Sequence, residues 1–139
     1  ENVDLSDLLL RHINNYEELA SAKNISVEKN IIPAVHVLAN RSLMEILISN
    51  IMVNTIKHNY KNGWIEINLS ENALSISNTG KKPSVNTNEL FERFKKSDSA
   101  SDSLGLGLAI VKKICDTCGF DVAYNYIEPM HTIAVDFKR

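Results

Sequence analysis

Three short runs of this chain carry side chains able to do chemistry. In LISNIMVNTIKHN, residues 47–59, the polar positions Asn50, Asn54 and Lys57 recur at helical spacing. At about 100° per residue they fall within an arc of about 60°. Leu47 and Ile51 flank that arc on one side, Ile46 and Val53 on the other. Buried amides and amines are costly unless partnered, so a polar stripe between apolar flanks asks for something to bind. A carboxamide oxygen suits Mg²⁺, a hard cation that takes oxygen ligands and keeps several waters. A lysine one turn on can neutralise phosphate. Taken alone, the stripe fits a solvent-facing strip of a surface helix equally well.

The second run is GLGLAIVKK, residues 105–113, read as the opening of a helix. Backbone N–H groups at a helix start bind anions, and glycine lets a phosphate approach closely. The spacing is not that of a Walker loop, because Lys and Ser/Thr do not follow where that motif needs them. A dinucleotide-binding turn is excluded as well: its third glycine position is Ile110, and a polar segment precedes it rather than a strand. A loop-to-helix transition without ligand remains open. The third run is ISNTG, residues 76–80, where Asn78 leaves a strand and enters a loop through Gly80. A carboxamide there can accept from an adenine amino group and donate to a ring nitrogen. The same residues also make a plain turn.

The elements that must position these runs follow from periodicity. Residues 5–23 read as a helix with Leu5, Leu8, Leu9, Ile13, Tyr16 and Leu19 on one face, started by Asp4 or Ser6. Two short extended segments, 25–31 and 34–38, precede a second helix over 41–59. WIEINL (64–69) and ALSIS (73–77) alternate in polarity around Ser70-Glu71-Asn72 and read as a hairpin. Residues 81–104 are rich in Lys, Ser, Asn and Asp and read as a long loop. LFERF (90–94) is its one short helix, with Asn86 and Glu89 at capping-box spacing. A third helix over 106–118 and a strand pair, 121–127 and 132–137, finish the chain. The order predicts an α+β fold: a two-layer sandwich in which a mixed, mostly antiparallel sheet of about five strands is covered on one face by three helices.

Composition bounds the rest. The chain has 139 residues, 44% apolar and 23% charged, with formal net charge -2, as expected for one globular domain over 1–139. No basic run points to nucleic acid, and no apolar stretch is long enough to span a bilayer. Beginning at Glu1 rather than Met, the chain reads as part of something longer. Cys115 and Cys118 sit near the end of an apolar helical pattern with Gly119 placed as a C-cap, and no second ligand pair is near. They are read as packed thiols in a reducing compartment.

Together and in order, these runs resemble the histidine-kinase branch of the GHKL ATPases, which share the Bergerat fold. The likeness covers nearly the whole chain. LISNIMVNTIKHN looks like the family's N-box, ISNTG its first glycine box, LFERF its F-box through Phe91 and Phe94, and SLGLGLAIV (103–111) its second glycine box. The resemblance implies ATP and Mg²⁺ as cofactors. It makes Asn54 the metal ligand, Asn50 an orienting residue of the metal shell or a water, and Lys57 a phosphate contact. His58 lines the site, and Asn78 with Gly80 receives adenine. Gly105, Leu106, Gly107 and Leu108 lie along the phosphates, and Lys96 takes the place of a lid arginine in a lid over 81–104.

The implied activity is transfer of the γ-phosphoryl group to a histidine on a separate dimerisation domain, with a response regulator downstream. The parent is then a membrane-anchored sensor, and this piece is cytoplasmic, monomeric, and free of nucleic-acid or direct membrane contact. None of the four histidines, His12, His36, His58 and His131, lies in the acidic setting of the family's phospho-acceptor. The sequence departs from the family in three places. Asn78 stands where an Asp is usual, NTGKKP (78–83) lacks a second glycine, and Ser103 replaces the first glycine of the second box. Two other readings stand beside this one: a different GHKL branch, such as an anti-sigma-type protein kinase or plain ATPase, and a degenerate nucleotide-binding interaction module.

Overall fold

The structure, a computed structural model, describes residues 1–82 and 99–138, with the backbone path alone for 99–106. The chain begins with a short strand, β1 (Asn2–Asp4), and a helix, α1 (Leu5–Ala22). Asp4 is the N-cap, its carboxylate accepting from Asp7 N at 3.0 Å. Ser6 serves elsewhere. Its buried hydroxyl donates to Ile32 O at 2.7 Å and accepts from Val35 N at 3.0 Å, pinning the following loop to the helix. Leu5, Leu8, Leu9 and Ile13 face the core as expected, but Leu19 is 55% exposed and Ala20 takes the inward place. Steps of four from Tyr16 lead to Ala20, so Leu19 falls about 100° away. The helix stops where Asn24 adopts φ 57°, an asparagine in the role glycine often has at a helix end.

Strands β2 (Ser26–Ile31) and β3 (His36–Leu38) come next, then helix α2 (Arg41–Lys57), capped by Asn40, whose side chain accepts from Leu43 N at 3.1 Å. Strands β4 (Trp64–Leu69) and β5 (Ala73–Thr79) form the expected hairpin, its turn held by Ser70 Oγ, which accepts from Ala73 N at 3.2 Å. Helix α3 (Ser99–Cys118) and strands β6 (Asp121–Ile127) and β7 (Met130–Asp136) close the chain.

The main sheet has the order β2-β4-β5-β7-β6, with β2 parallel to β4 and every other pair antiparallel. β1 was not expected from the sequence. It pairs with β3 in a separate two-stranded sheet, where Val3 and Val37 are buried. Burial alternates strictly along β4, β5 and β7, with Ile65, Ile67, Leu74, Ile76, Ile133 and Val135 on the inner face. The helices lie against that face: Met44, Leu47, Ile48, Ile51 and Met52 of α2 and Leu108 and Val111 of α3 are all within 1% of complete burial. This is the two-layer α+β sandwich expected, three helices on a five-stranded mixed sheet among the described residues.

Among the boundaries that differ from expectation, the end of β5 and the start of α3 matter for function. β5 runs to Thr79 rather than ending at residue 77, because β7 begins at Met130 and supplies partners for both extra residues. α3 begins at Ser99, not at residue 106, so residues 99–104 are helical rather than part of a loop. Ser and Asp disfavour helix interiors but suit a first turn, which is why that stretch reads as loop from composition. α2 ends at Lys57 rather than residue 59. The F-box segment and its capping residues lie outside the described residues.

Among the described residues, no helix is long and apolar enough to cross a membrane. Both cysteines are free, and burial pushes the Cys115 thiol up to about 12, as expected for a packed thiol.

Candidate functional site

The last turns of α2 supply most of the site. Asn54 is 8% exposed, and its Nδ2 has no hydrogen-bond partner among the described residues. It faces Gly107 of α3: a β-carbon on that glycine would lie 2.9 Å from Asn54 Nδ2 and 3.3 Å from Oδ1. The glycine at 107 is therefore required by close approach, and the two predicted runs do converge. One turn earlier, Asn50 is half-exposed, and its Nδ2 donates to the helix's own carbonyl at Ile46, 2.8 Å away. Of the flanks of this stripe, Leu47 and Ile51 are buried, while Ile46 and Val53 are 45% and 44% exposed. The stripe thus runs along the border between core and solvent. Lys57 stands exposed in the last turn.

His58 caps α2. Burial first, then the charges of Lys57, His131 and Lys23, holds its pKa below the usual histidine range, so the ring is neutral at pH 7. Its Nε2 is the second buried polar atom without a partner among the described residues. The helix end is clasped from α1: Lys23 Nζ donates to the carbonyls of Ile56, Lys57 and Asn59 at 2.8, 3.3 and 3.2 Å. A cation on the last carbonyls satisfies acceptors that no amide can reach and opposes the helix dipole.

Beyond the helix, Asn59 is buried and knits the turn to the sheet. Its Oδ1 accepts from Tyr60 N at 2.7 Å and from the Thr79 hydroxyl, and its Nδ2 donates to Trp64 O at 3.2 Å. Thr79 Oγ1 also accepts from Trp64 N at 3.0 Å. Gly63 lies inside this knot, where a β-carbon would sit 2.0 Å from Asn59 Oδ1.

Asn78 does not leave the sheet as expected. It is paired with His131 within β5 and β7 and is 7% exposed. Its Nδ2 donates to Thr79 O at 2.8 Å, which leaves its oxygen without a hydrogen bond among the described residues. Gly80 follows, its amide donating to Pro129 O at 3.1 Å. A β-carbon there would lie 2.8 Å from the His58 carbonyl and 3.0 Å from the His131 ring. The first glycine box therefore abuts the end of α2, as the nucleotide reading needs.

The second box differs more. Gly105, Leu106, Gly107 and Leu108 lie inside α3, six to nine residues past its start. Their amides belong to the helical ladder rather than to the open first turn, and the Leu108 side chain is fully buried in the core. The open first turn that predicts an anion site thus stands earlier in the chain, because α3 already begins at Ser99. Lys96, Phe91 and Phe94 lie outside the described residues.

His12 is half-buried between α1 and α2, 3.5 Å from Ser49 Oγ. His36 is exposed on β3, away from the site.

Sequence reasoning missed Lys23, Asn59, Gly63 and Thr79 as the residues that hold the site in shape, and left His131 unassigned. No cluster of three or more His, Cys, Asp or Glu able to hold a metal exists among the described residues.

Comparison with known proteins agrees with this geometry. The model of the histidine kinase-, DNA gyrase B- and HSP90-like ATPases matches residues 39–135. The sensor histidine protein kinase HK06 of Streptococcus pneumoniae is 30% identical over 142 residues, covering 99% of this chain and 31% of that protein. The heme sensor protein HssS of Staphylococcus aureus is 32% identical over 115 residues, covering 79% of this chain and 25% of that protein. This chain thus spans less than a third of either relative. Among solved structures, the nucleotide-free catalytic domain of histidine kinase ThkA superposes with a TM-score of 0.84 at 22% identity, covering 98% of this chain and 95% of that one. The chain belongs to the family of histidine kinase-, DNA gyrase B- and HSP90-like ATPases.

Proposed function

We propose that this domain transfers the γ-phosphoryl group of ATP to a histidine on a separate dimerisation domain of the same parent protein, which then passes it to a response regulator. The observation that carries the reading is the pair of buried polar atoms without partners among the described residues, Asn54 Nδ2 and His58 Nε2, with Gly107 against the Asn54 side chain and Gly80 against the His58 carbonyl. Buried donors are rarely left unmatched unless a ligand matches them.

In the transfer, the partner's imidazole nitrogen bonds to the γ-phosphorus while the bond to the bridging β,γ-oxygen breaks, and ADP leaves. Little of this needs covalent chemistry from the domain, which works by positioning and charge. Asn54 fits Mg²⁺ in type and place. A half-turn of its carboxamide brings oxygen to where nitrogen stands, and Nδ2 has no hydrogen bond among the described residues to lose. Mg²⁺, held by the Asn54 oxygen, would offset the charge of the phosphates. Asn50 orients the surrounding water through its free carboxamide edge, and Lys57 adds positive charge at the same helix end. Asn78 offers a bare acceptor oxygen to the adenine amino group, and its neutral charge does not prevent that bond. Lys96 and the lid would complete the phosphate side.

Capture of phosphate by the amides of residues 105–107 requires the first turn and a half of α3 to open. Glycine makes that opening cheap, since each interior Gly weakens a helix by about 0.5–1 kcal/mol relative to Ala. The isolated domain is read as monomeric and cytoplasmic, the parent as membrane-anchored. The decisive experiment is calorimetry with MgATP on this chain. Binding at micromolar to millimolar nucleotide is expected. No detectable binding at millimolar MgATP would leave the degenerate interaction module as the better reading.

A further inference from the structure

One buried histidine has no part in the roles above. We infer that His131 is a positioning residue for recognition of the base, acting through its hydrogen bond to the Lys81 carbonyl. The inference rests on the nucleotide reading proposed above.

His131 is the direct cross-strand partner of Asn78, 53 positions away in sequence. Such partners project from the same face of a sheet, here the face under the helices, and each is 7% exposed. His131 Nε2 lies 2.7 Å from Lys81 O. A carbonyl only accepts, so Nε2 carries the proton and the bare Nδ1 accepts from the Tyr124 hydroxyl. Both ring nitrogens are thereby engaged, and one neutral tautomer is selected. The Tyr126 ring packs beside it with centroids 4.6 Å apart.

What the ring holds is the point where β5 ends. Gly80 N donates to Pro129 O at 3.1 Å on one side, and Lys81 O accepts from His131 on the other. Glycine at 80 is required by the His58 carbonyl, yet it also removes the side chain that would stiffen the junction. The imidazole supplies that stiffness from across the sheet. Asn78 and the backbone just after it are the groups assigned to the base, so their mutual spacing depends on this bond. A site whose polar groups keep fixed spacing rejects a base that would leave them unpaired. His131 therefore controls preference for adenine over guanine nucleotides and leaves phosphate affinity alone.

The test is calorimetry of the whole chain with MgATP, MgGTP and magnesium tripolyphosphate. Wild type is expected to prefer ATP to GTP. His131→Leu should weaken MgATP binding by about tenfold, the worth of one well-placed hydrogen bond, with GTP and tripolyphosphate unchanged. His131→Gln, whose amide nitrogen reaches as far as Nε2, should restore ATP affinity to within about twofold.

Equal losses on all three ligands would show a merely structural role and overturn the assignment, as would unchanged ATP affinity in His131→Leu. Failure of folded His131→Gln to restore ATP preference would overturn the donor role. If His131→Leu does not fold, Tyr124→Phe takes its place: a lowered ATP-to-GTP ratio supports the assignment, and an unchanged ratio overturns it. Wild type that binds none of the nucleotides overturns the parent reading and this one together. Wild type that binds beside an indifferent variant overturns only the role of His131.

Discussion

The two ends of the site differ in how fully their polar groups are partnered. At the strand end, Asn59, Thr79, Trp64 and His131 close their hydrogen bonds on one another or on backbone. At the helix end, Asn54 and His58 each bury a nitrogen with no partner among the described residues, and the glycine run facing Asn54 is still wound into α3. The first end is therefore locked by its own hydrogen bonds. The second keeps two buried nitrogens unpartnered among the described residues, as expected under the proposed reading of a site for metal-bound phosphate. A network satisfied internally rigidifies, whereas unmatched buried groups raise the energy of the empty state and favour the filled one.

The comparison can be broken most sharply at the helix end. Asn54→Ala, supplied with the histidine-bearing domain, is expected to lower phosphoryl transfer by about three orders of magnitude, with thermal stability unchanged or raised because a stranded donor is gone. Transfer at wild-type rate in a radiolabel assay would show that the metal assignment is wrong. At the strand end the largest effect falls on folding instead. Gly63→Ala places a carbon 2.0 Å from Asn59 Oδ1 and 2.5 Å from Thr79 Oγ1. It should destabilise the domain by about 2–4 kcal/mol in urea unfolding, through overpacking and lost hydrogen bonds. A variant as stable as wild type would mean that the knot is slack.

A smaller change sharpens the contrast. Gly105→Ala should stabilise α3 by about 0.5–1 kcal/mol and weaken MgATP binding by up to about fivefold, because the helix then resists opening. Calorimetry showing tighter binding would imply that the amides bind without unwinding.

The smallest effect is on pH dependence. His58 and His131 both have pKa values held below the usual one, in each case chiefly by burial. The ordinary value is about 6.5, so on acidification the unfolded chain takes up these protons before the folded one does. Their contribution to stability is complete above about pH 6.5 and is lost as pH falls through the folded values. Lys57 and Lys23 oppose protonation of His58, and Tyr124 and Tyr126 surround His131. Melting temperature should rise from pH 5 to 7, and His131→Gln should flatten that rise. A profile unaltered by this substitution would show that His131 carries none of it.

Much of the helix end was legible in sequence. Asn50, Asn54 and Lys57 stand within one element, and a single period relates them. Asn54 buried and Lys57 exposed follow from where the arc meets its flanks. The strand end was legible only in part. Asn78 and Gly80 lie two residues apart in sequence, but what holds this strand end comes from elsewhere: His131 through sheet register, and Asn59, bonded to Thr79, through the turn after α2. The same distance hid β1, a three-residue strand whose only reason to exist is β3. The start of α3 was misplaced because a run of Ser and Asp weighs composition toward loop, while a first turn accepts those residues readily.

By itself, the sequence determined the layers, the inward faces of the strands, and the stripe of Asn50, Asn54 and Lys57 along one helix, because each depends on a repeat of two or of 3.6 residues within one segment. Only the tertiary structure decided which of those side chains would lack partners and which would be locked. That depends on what packs opposite, and neither the register of β5 against β7 nor the approach of Gly107 to Asn54 is encoded in any local stretch.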